Sequence, residues 1–332
     1  MGTEATFYTI ADAGFFPGLV ALLNSLRLTG NVGELVVLDR GLMPAQRALV
    51  GDHVTLVELP AALAGRPMLL KAYPHALGAS GTIVLIDSDM IVTRPLDDIV
   101  ACAQKGRICV FPDHRSHRGR WFAEWHDELE LRAPLRRGTY LNAGFLALST
   151  EHWPELLGRW WELCDRVPRE QHFGRFEQPF WAGDQDVLNA ILASEVPEHA
   201  VVELSADEEA YPDDLLEVEV MDERTLRSEL RGRPTAILHY ALGPKAWERN
   251  AWLRLRNDAY VRLLPRLLFG DDVAVRLEPK SVPVWLRPGA PARALVRGAE
   301  FAHGGVRGAV HALPRPVRER ALALRNAFFR RH

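Results

Sequence analysis

Short β-prone runs alternate with helical runs through the N-terminal third of the chain, and this alternation constrains the fold more than any other feature. Thr6 to Ile10 is β-prone. Pro17 follows, with Leu19, Leu22, Leu23 and Leu26 at helical spacing, and proline suits a first helical turn. Glu34 to Leu38 reads as a buried strand, Pro44 to Val50 as a short helix and His53 to Leu59 as a strand. Leu69 to Leu77 reads as helical despite Pro74, Thr82 to Ile86 as a strand, Leu96 to Ala103 as a helix and Arg107 to Phe111 as a strand. Such alternation implies βαβ units. The expected class is α/β, with a mainly parallel sheet flanked by helices on both faces.

The rest of the chain is less regular. Residues 112–140 are rich in His, Arg and Trp and read as a loop or small subdomain. Gly144 to Leu148 is a strand, Trp153 to Asp165 a helix, and Asp184 to Ala193 a helix opened by a capping aspartate. Ala236 to His239 is a short apolar strand, and Glu248 to Leu268 reads as one long helix.

Character changes after Gly270. From Lys280 to His332 there are 11 Lys or Arg against two Glu, a balance of +9, so the remainder sums to −12 within a net charge of −3. The expected division is one folded domain over 1–270 and a basic, Pro- and Gly-rich extension over 271–332. Val317 to Arg331 has the pattern of a basic amphipathic helix, which suits the anionic inner face of a membrane; the plainer reading is a solvated tail or a helix packed on the domain. The near-neutral whole argues against a general polyanion binder, and no nucleic acid is expected as a partner. Three cysteines without a C-x-x-C spacing fit a reducing, cytoplasmic setting. Met1 to Thr6 lack the basic start of a signal peptide. No apolar run approaches the roughly 18 residues that a membrane span needs.

In parallel sheets, ligands gather beyond the carboxyl ends of the strands. Ala11-Asp12 follows the first strand, Asp87-Ser88-Asp89 follows Thr82 to Ile86, and His239 closes Ala236 to His239. Two carboxylates one residue apart can meet one hard divalent cation; an added imidazole favours Mn2+ over Mg2+. The spacing is common: Asp184-Gln185-Asp186 repeats it. What singles out Asp87-Ser88-Asp89 is its context, since Met90-Ile91-Val92 continue apolar where a solvated turn would turn polar.

Val84-Leu85-Ile86-Asp87-Ser88-Asp89-Met90-Ile91-Val92 resembles the signature of glycosyltransferase family 8, which has the GT-A fold. Four further stretches agree in order: Phe7 to Asp12 with Asn24-Ser25-Leu26, Tyr140 to Phe145, Gly183 to Asn189, and His239-Tyr240 with Gly243, Lys245 and Trp247. The resemblance covers residues 5–250. It implies a metal held by Asp87, Asp89 and His239, with Lys245 and Gly243 at the donor diphosphate. Ala11, Asp12 and Ser88 would lie along the nucleotide, Lys71 near the donor, Asn142 and Ala143 at the donor sugar, and Asp184 and Gln185 beside the transferred sugar. Gly243 stands one position later than in the family pattern and Ala246 replaces a proline.

The implied activity is transfer of a hexose from a UDP-sugar to a saccharide or glycolipid, with retention of configuration. The alternatives are a nucleotidyltransferase and a non-catalytic nucleotide-sugar binder. The former would want a Gly-rich phosphate loop, which Asp12-Ala13-Gly14-Phe15-Phe16 matches poorly. Trp121, Trp125 and Trp181 are open to two readings, core packing or stacking on an acceptor sugar. His114, His117 and His126 lack zinc spacing and read as loop residues.

Overall fold

A computed structural model describes residues 4–63, 65–167, 175–241, 243–254, 256–289 and 294. The first elements are β1 (Thr6–Ala11), α1 (Phe16–Leu28), β2 (Leu35–Asp39), α2 (Pro44–Val50), β3 (Thr55–Glu58), a 3₁₀ segment (Pro67–Leu77) and β4 (Thr82–Ile86). They are followed by β5 (Met90–Val92), α3 (Asp97–Gln104), β6 (Ile108–Pro112), α4 (Glu124–Glu128), β7 (Leu141–Ser149), α5 (Leu156–Arg166) and α6 (Asp184–Ser194). The chain continues through β8 (Val201–Glu203), β9 (Glu209–Ala210), β10 (Val218–Asp222), β11 (Arg227–Leu230), β12 (Arg233–Pro234), β13 (Ile237–His239) and α7 (Ala259–Phe269).

A seven-stranded sheet runs in the order β3-β2-β1-β4-β7-β6-β8. Every strand is parallel to its fellows except β7, which is antiparallel to both β4 and β6. Alternate side chains leave opposite faces, so the sheet feeds two cores. Phe7, Val37, Val84 and Cys109 join a core with α1, α3 and α7. Tyr8, Val36, Leu85 and Val110 join another with α5, α6 and the Pro67–Leu77 segment. This two-sided burial is why these strands read as continuous apolar runs.

Two sequence expectations are corrected. Pro74 has no amide hydrogen, and Pro67–Leu77 is a 3₁₀ segment, not an α-helix. The long helix expected over Glu248 to Leu268 is broken into a 3₁₀ segment, Arg249–Arg254, and α7. Asp258 causes the restart: its carboxylate accepts the Val261 amide at 3.0 Å and caps α7.

A second sheet, β5-β13-β9, stands beside the first. The segment after α7 returns to the body. Val275, Leu277, Val282 and Leu286 are buried in the core that α1 lines. Buried Asn24 of α1 donates to the carbonyls of Leu267 and Val275, both at 2.7 Å, and accepts the amides of Ala274 and Val275. The start of the segment assigned to the extension is therefore strapped to the domain. The basic helix expected over Val317 to Arg331 lies outside the described residues. Among the described residues, no helix is long and apolar enough to cross a membrane.

Candidate metal and donor site

Asp87-Ser88-Asp89 occupies the point where the chain leaves one sheet for the other. β4 pairs with β1 and β7, whereas β5 pairs with β13. The turn is tight: the Asp87 amide donates to the Gly144 carbonyl at 2.9 Å, and the Met90 amide to the Asp87 carbonyl at 3.1 Å. Neighbouring glycines make room for it. A Cβ at Gly18 would lie 2.4 Å from the Ser88 carbonyl oxygen and 2.5 Å from the Trp247 ring. A Cβ at Gly144 would lie 2.9 Å from Asp87 Oδ2.

Strand register brings His239 here. It pairs with Met90 across the β5–β13 ladder, and the next amide, Tyr240, donates to the Asp89 carbonyl at 3.1 Å. The imidazole Nε2 lies 3.5 Å from Asp89 Oδ1, and Lys245 Nζ lies 2.6 Å from Asp89 Oδ2. Lys245 also donates to the Tyr240 carbonyl at 2.9 Å. Gly243, on the loop between them, has φ of 70°, a left-handed conformation that favours glycine. Its shifted position relative to the family pattern therefore still carries a glycine-specific turn.

The ligand atoms of Asp87, Asp89 and His239 lie within 4.8 Å of one another. Asp89 Oδ1 is buried and makes no close hydrogen bond; its neighbour is the His239 imidazole at 3.5 Å. A buried carboxylate oxygen with only this long contact has room for a further ligand, and two oxygens with one imidazole nitrogen around a common point suit a divalent cation of the Mn2+ or Mg2+ kind. The residues present thus fit such an ion.

Electrostatics around the cluster are tightly balanced. Burial pushes the Asp89 carboxyl up, but Lys245 and His239 outweigh it and hold the group well below the usual carboxylate range. Burial pulls the His239 imidazole down, but Asp89 and Glu209 outweigh it and push it up to about 10. Lys71 Nζ lies 3.1 Å from Asp87 and 3.7 Å from Asp184, and donates to the Ala143 carbonyl at 3.1 Å. Against its burial, Asp87 and Asp184 hold the Lys71 ammonium above its ordinary value. Burial pushes Asp184 up to about 6, with Lys71 opposing and Asp87 adding to the rise.

These groups line a cavity of about 730 Å³. Of the residues expected at the site, Ala11, Asp12, Lys71, Asp87, Ser88, Asp89, Asn142, Asp184, Gln185, His239 and Gly243 line it. Lys245 reaches it through Asp89, and Ala143 contributes its backbone to Lys71 and Gln185. Asp12 Oδ1 accepts the amides of Gly14 and Phe15, and Oδ2 meets Arg40 at 3.1 Å. Gln185 is held at both ends: Oε1 accepts the Ala143 amide at 3.0 Å, and Nε2 donates to Asp113 at 2.8 Å. Asn142 donates to the Tyr211 hydroxyl and accepts the Gly144 amide.

One expectation needs correction, and the open readings of the aromatic and histidine residues are resolved. Asp184 does not cap α6. Gly183 occupies the cap position with φ of 53°, and Asp184 is the first helical residue, its side chain turned toward Lys71. Trp125 is a core residue whose indole donates to the Pro179 carbonyl at 2.6 Å. Trp121 lines a separate, smaller cavity beneath Arg137. Trp181 does line the main cavity, against His117 and Phe176. His114 and His117 belong to a loop, but that loop forms a cavity wall, with His117 at 3.1 Å from Asp113.

The sequence reading missed Asp113, Tyr211 and Glu209. Asp113 follows β6 directly, so the strand-end rule reaches it. Glu209 ends the acidic run Asp207-Glu208-Glu209, which reads as solvated chain. It is instead buried, with its carboxylate 2.9 Å from His239 Nδ1.

No family model and no curated protein matches the chain. Its architecture, a mainly parallel sheet flanked by helices, is that of GT-A glycosyltransferases. The chain is similar to the galactosyltransferase LgtC, solved with donor and acceptor sugar analogues. That match has a TM-score of 0.52 and 16% identity, over 82% of this chain and 98% of LgtC. An active-site mutant of LgtC matches at TM-score 0.53, with 16% identity over the same shares of both chains. The bifunctional glycosyltransferase WbbM matches at TM-score 0.53 and 14% identity, over 82% of this chain but only 50% of WbbM. This chain thus spans half of WbbM. The expected fold class is the observed one.

Proposed function

We propose that this protein is a metal-dependent glycosyltransferase that moves a hexose from a UDP-sugar to a saccharide or lipid-linked acceptor with retention of configuration. One observation carries the proposal: ligand atoms of Asp87, Asp89 and His239 converge within 4.8 Å, while Lys245 holds the other oxygen of the Asp89 carboxylate. The shared fold with LgtC and WbbM supports it.

In this reading Asp87, Asp89 and His239 hold Mn2+ or Mg2+. When bound, that ion neutralises charge on the departing diphosphate. The ion competes with the proton on His239, so its affinity rises with pH. Lys245 adds positive charge at the diphosphate, and Gly243 lets the backbone approach it. Ala11, Asp12 and Ser88 border the nucleotide. Lys71 fixes Asp87 and Asp184 between the donor and the sheet. Asn142, Ala143, Asp184 and Gln185 border the transferred sugar. The double tether on Gln185 fixes its amide before substrate arrives, which favours orientation over adaptation. The acceptor attacks the face that the diphosphate leaves, and a leaving phosphate oxygen takes its proton. Trp181 offers an apolar face for the acceptor ring.

The catalytic unit is proposed to be 1–270, with the strap through Leu286 packed on it. The basic remainder is proposed to contact anionic lipid at the cytoplasmic face of a membrane. Removing 290–332 is the appropriate deletion, because it leaves the Asn24–Val275 contacts intact. The decisive experiment is calorimetric titration with UDP-sugars, with and without Mn2+. Binding of one UDP-sugar only with the ion is expected, together with slow ion-dependent release of UDP. Equal binding with and without the ion would overturn the metal assignment.

A further inference from the structure

The metal reading accounts for Asp87, Asp89 and His239, but it leaves one buried acid beside them unused. Glu209 is 1% exposed and sits on the two-residue strand β9. β9 runs parallel to β13, with Glu209 opposite Ile237. His239 lies two residues beyond Ile237, and side chains two apart share a strand face. Glu209 and His239 therefore project to the same side of the small sheet. Glu209 Oε1 reaches His239 Nδ1 at 2.9 Å, while Nε2 of the same ring faces Asp89 Oδ1. Asn142 Nδ2, 3.5 Å from the same Nδ1, also donates to the Tyr211 hydroxyl. The directed partner of Nδ1 is the carboxylate.

We infer that Glu209 is the positioning residue of the metal site: it accepts the Nδ1 proton, fixes the ring, and commits Nε2 to the ion. The inference rests on the proposed metal site. A carboxylate behind a histidine sets which nitrogen carries the proton and raises the basicity of the other. A buried acid in this position is a poor stability device, since an apolar side chain of similar volume would pack without desolvation. The geometry explains its placement. β13 is a short strand whose last residue bears the imidazole, so the ring needs a second fixed point beyond its own backbone. β9 supplies it from 30 residues earlier in the chain.

The test is Mn2+ binding by the full chain, followed by electron paramagnetic resonance, for the wild type, Glu209→Gln, Glu209→Leu and His239→Ala. Melting temperatures of the metal-free proteins serve as the fold control. Glu209→Leu is expected to weaken Mn2+ binding by about 10- to 100-fold, and to reduce the 14N modulation from the imidazole in the spin-echo spectrum. Glu209→Gln keeps an acceptor for Nδ1 and is expected to fall between Glu209→Leu and the wild type. It also carries the test if Glu209→Leu does not fold. Wild-type affinity and modulation in both Glu209 variants, with binding weakened in His239→Ala, would overturn the positioning role alone. A wild type that binds no Mn2+, or His239→Ala binding it normally, would overturn the metal site and this inference with it.

Discussion

The chain contains two Asp-x-Asp sequences, and the structure uses them in opposite ways. Asp87-Ser88-Asp89 is a turn between two sheets, where both carboxylates converge on one point with His239. Asp184-Gln185-Asp186 opens α6, where residues two apart point about 200° from each other. Asp184 faces the cavity and Lys71. Asp186 is fully buried and meets Arg120 at 2.7 Å, the Tyr140 hydroxyl at 2.7 Å and the Ala182 amide at 2.7 Å. The same spacing gives a converging pair of carboxylates in one place and a split between cavity and core in the other. The backbone beneath a motif decides what its side chains can do together.

Exchanging losses between the two motifs would break this comparison most directly. Asp89→Asn is expected to reduce sugar transfer on the order of 10³-fold, the scale for removing a preorganised electrostatic partner, and to abolish Mn2+ binding by titration. Asp186→Ala should leave Mn2+ affinity near that of the wild type. If instead Asp186→Ala abolished ion binding, the separation of roles between the motifs would fail.

The next largest effect is on stability. Asp186→Ala leaves the Arg120 guanidinium buried among Phe122, Phe176 and Trp181 without its carboxylate. A loss of about 3–5 kcal/mol is expected from denaturant unfolding, the range for breaking a buried pair from one side. Arg120 also donates to the Phe176 and Gln178 carbonyls, and a change under 1 kcal/mol would show that these, not Asp186, hold it.

Gly18→Ala tests the ground beneath the first motif. The added methyl would meet the Ser88 carbonyl and Trp247, which itself donates to the Gly14 carbonyl at 2.8 Å. Overpacking of about 1–3 kcal/mol is expected, along with weaker Mn2+ binding as the turn shifts. Unchanged ion affinity would mean that the turn tolerates movement.

The smallest expected effect sharpens the difference between Asp184 and Asp89. The folded protein holds Asp184 up at about 6, so the metal-free native state binds a proton there more readily than the unfolded chain. Wild-type stability at this group is therefore gained as pH falls through 6 and is lost as pH rises through it. Asp184→Asn has no such slope. Its stability relative to the wild type should be highest above about pH 6 and should decline toward the unfolded-state value near 4. Asp89 is shifted in the opposite direction, so its stabilising contribution is present at neutral pH and is lost in strong acid. A pH-independent difference for Asp184→Asn would remove the coupling among Asp184, Lys71 and Asp87.

How much of this was legible beforehand varies by residue. Asp87 and Asp89 follow one buried strand and His239 ends another, but the common spacing and a lone histidine stand out only with Lys245 and the ordered stretches around them. Asp113 follows β6 in the same way, and only its loop-like histidine neighbours hid it. Trp125 and Trp181 look alike in the sequence, yet one is core and the other cavity wall, because α4 turns the first inward. The break before α7 was missed because the apolar period runs through it, while Asp258 acts by a single local hydrogen bond that periodicity does not register. Glu209 gave no signal, because an acidic run reads as solvated until a strand pairs with it.

The sequence by itself determined the class of fold and the chemistry available to it. Apolar runs of strand and helix period specify a two-sided sheet, and an acid placed after a buried strand must reach the sheet's ligand-facing end. Only the tertiary structure decided which of those acids work together. Lys245 meets Asp89 across 156 residues, Asn142 meets Tyr211 across 69, and the β5–β13–β9 register sets His239 between Asp89 and Glu209. Local periodicity carries no information about such pairings. They form because buried charges must find partners within the few ångströms that packing leaves them, and the partner found is the one that strand register brings alongside.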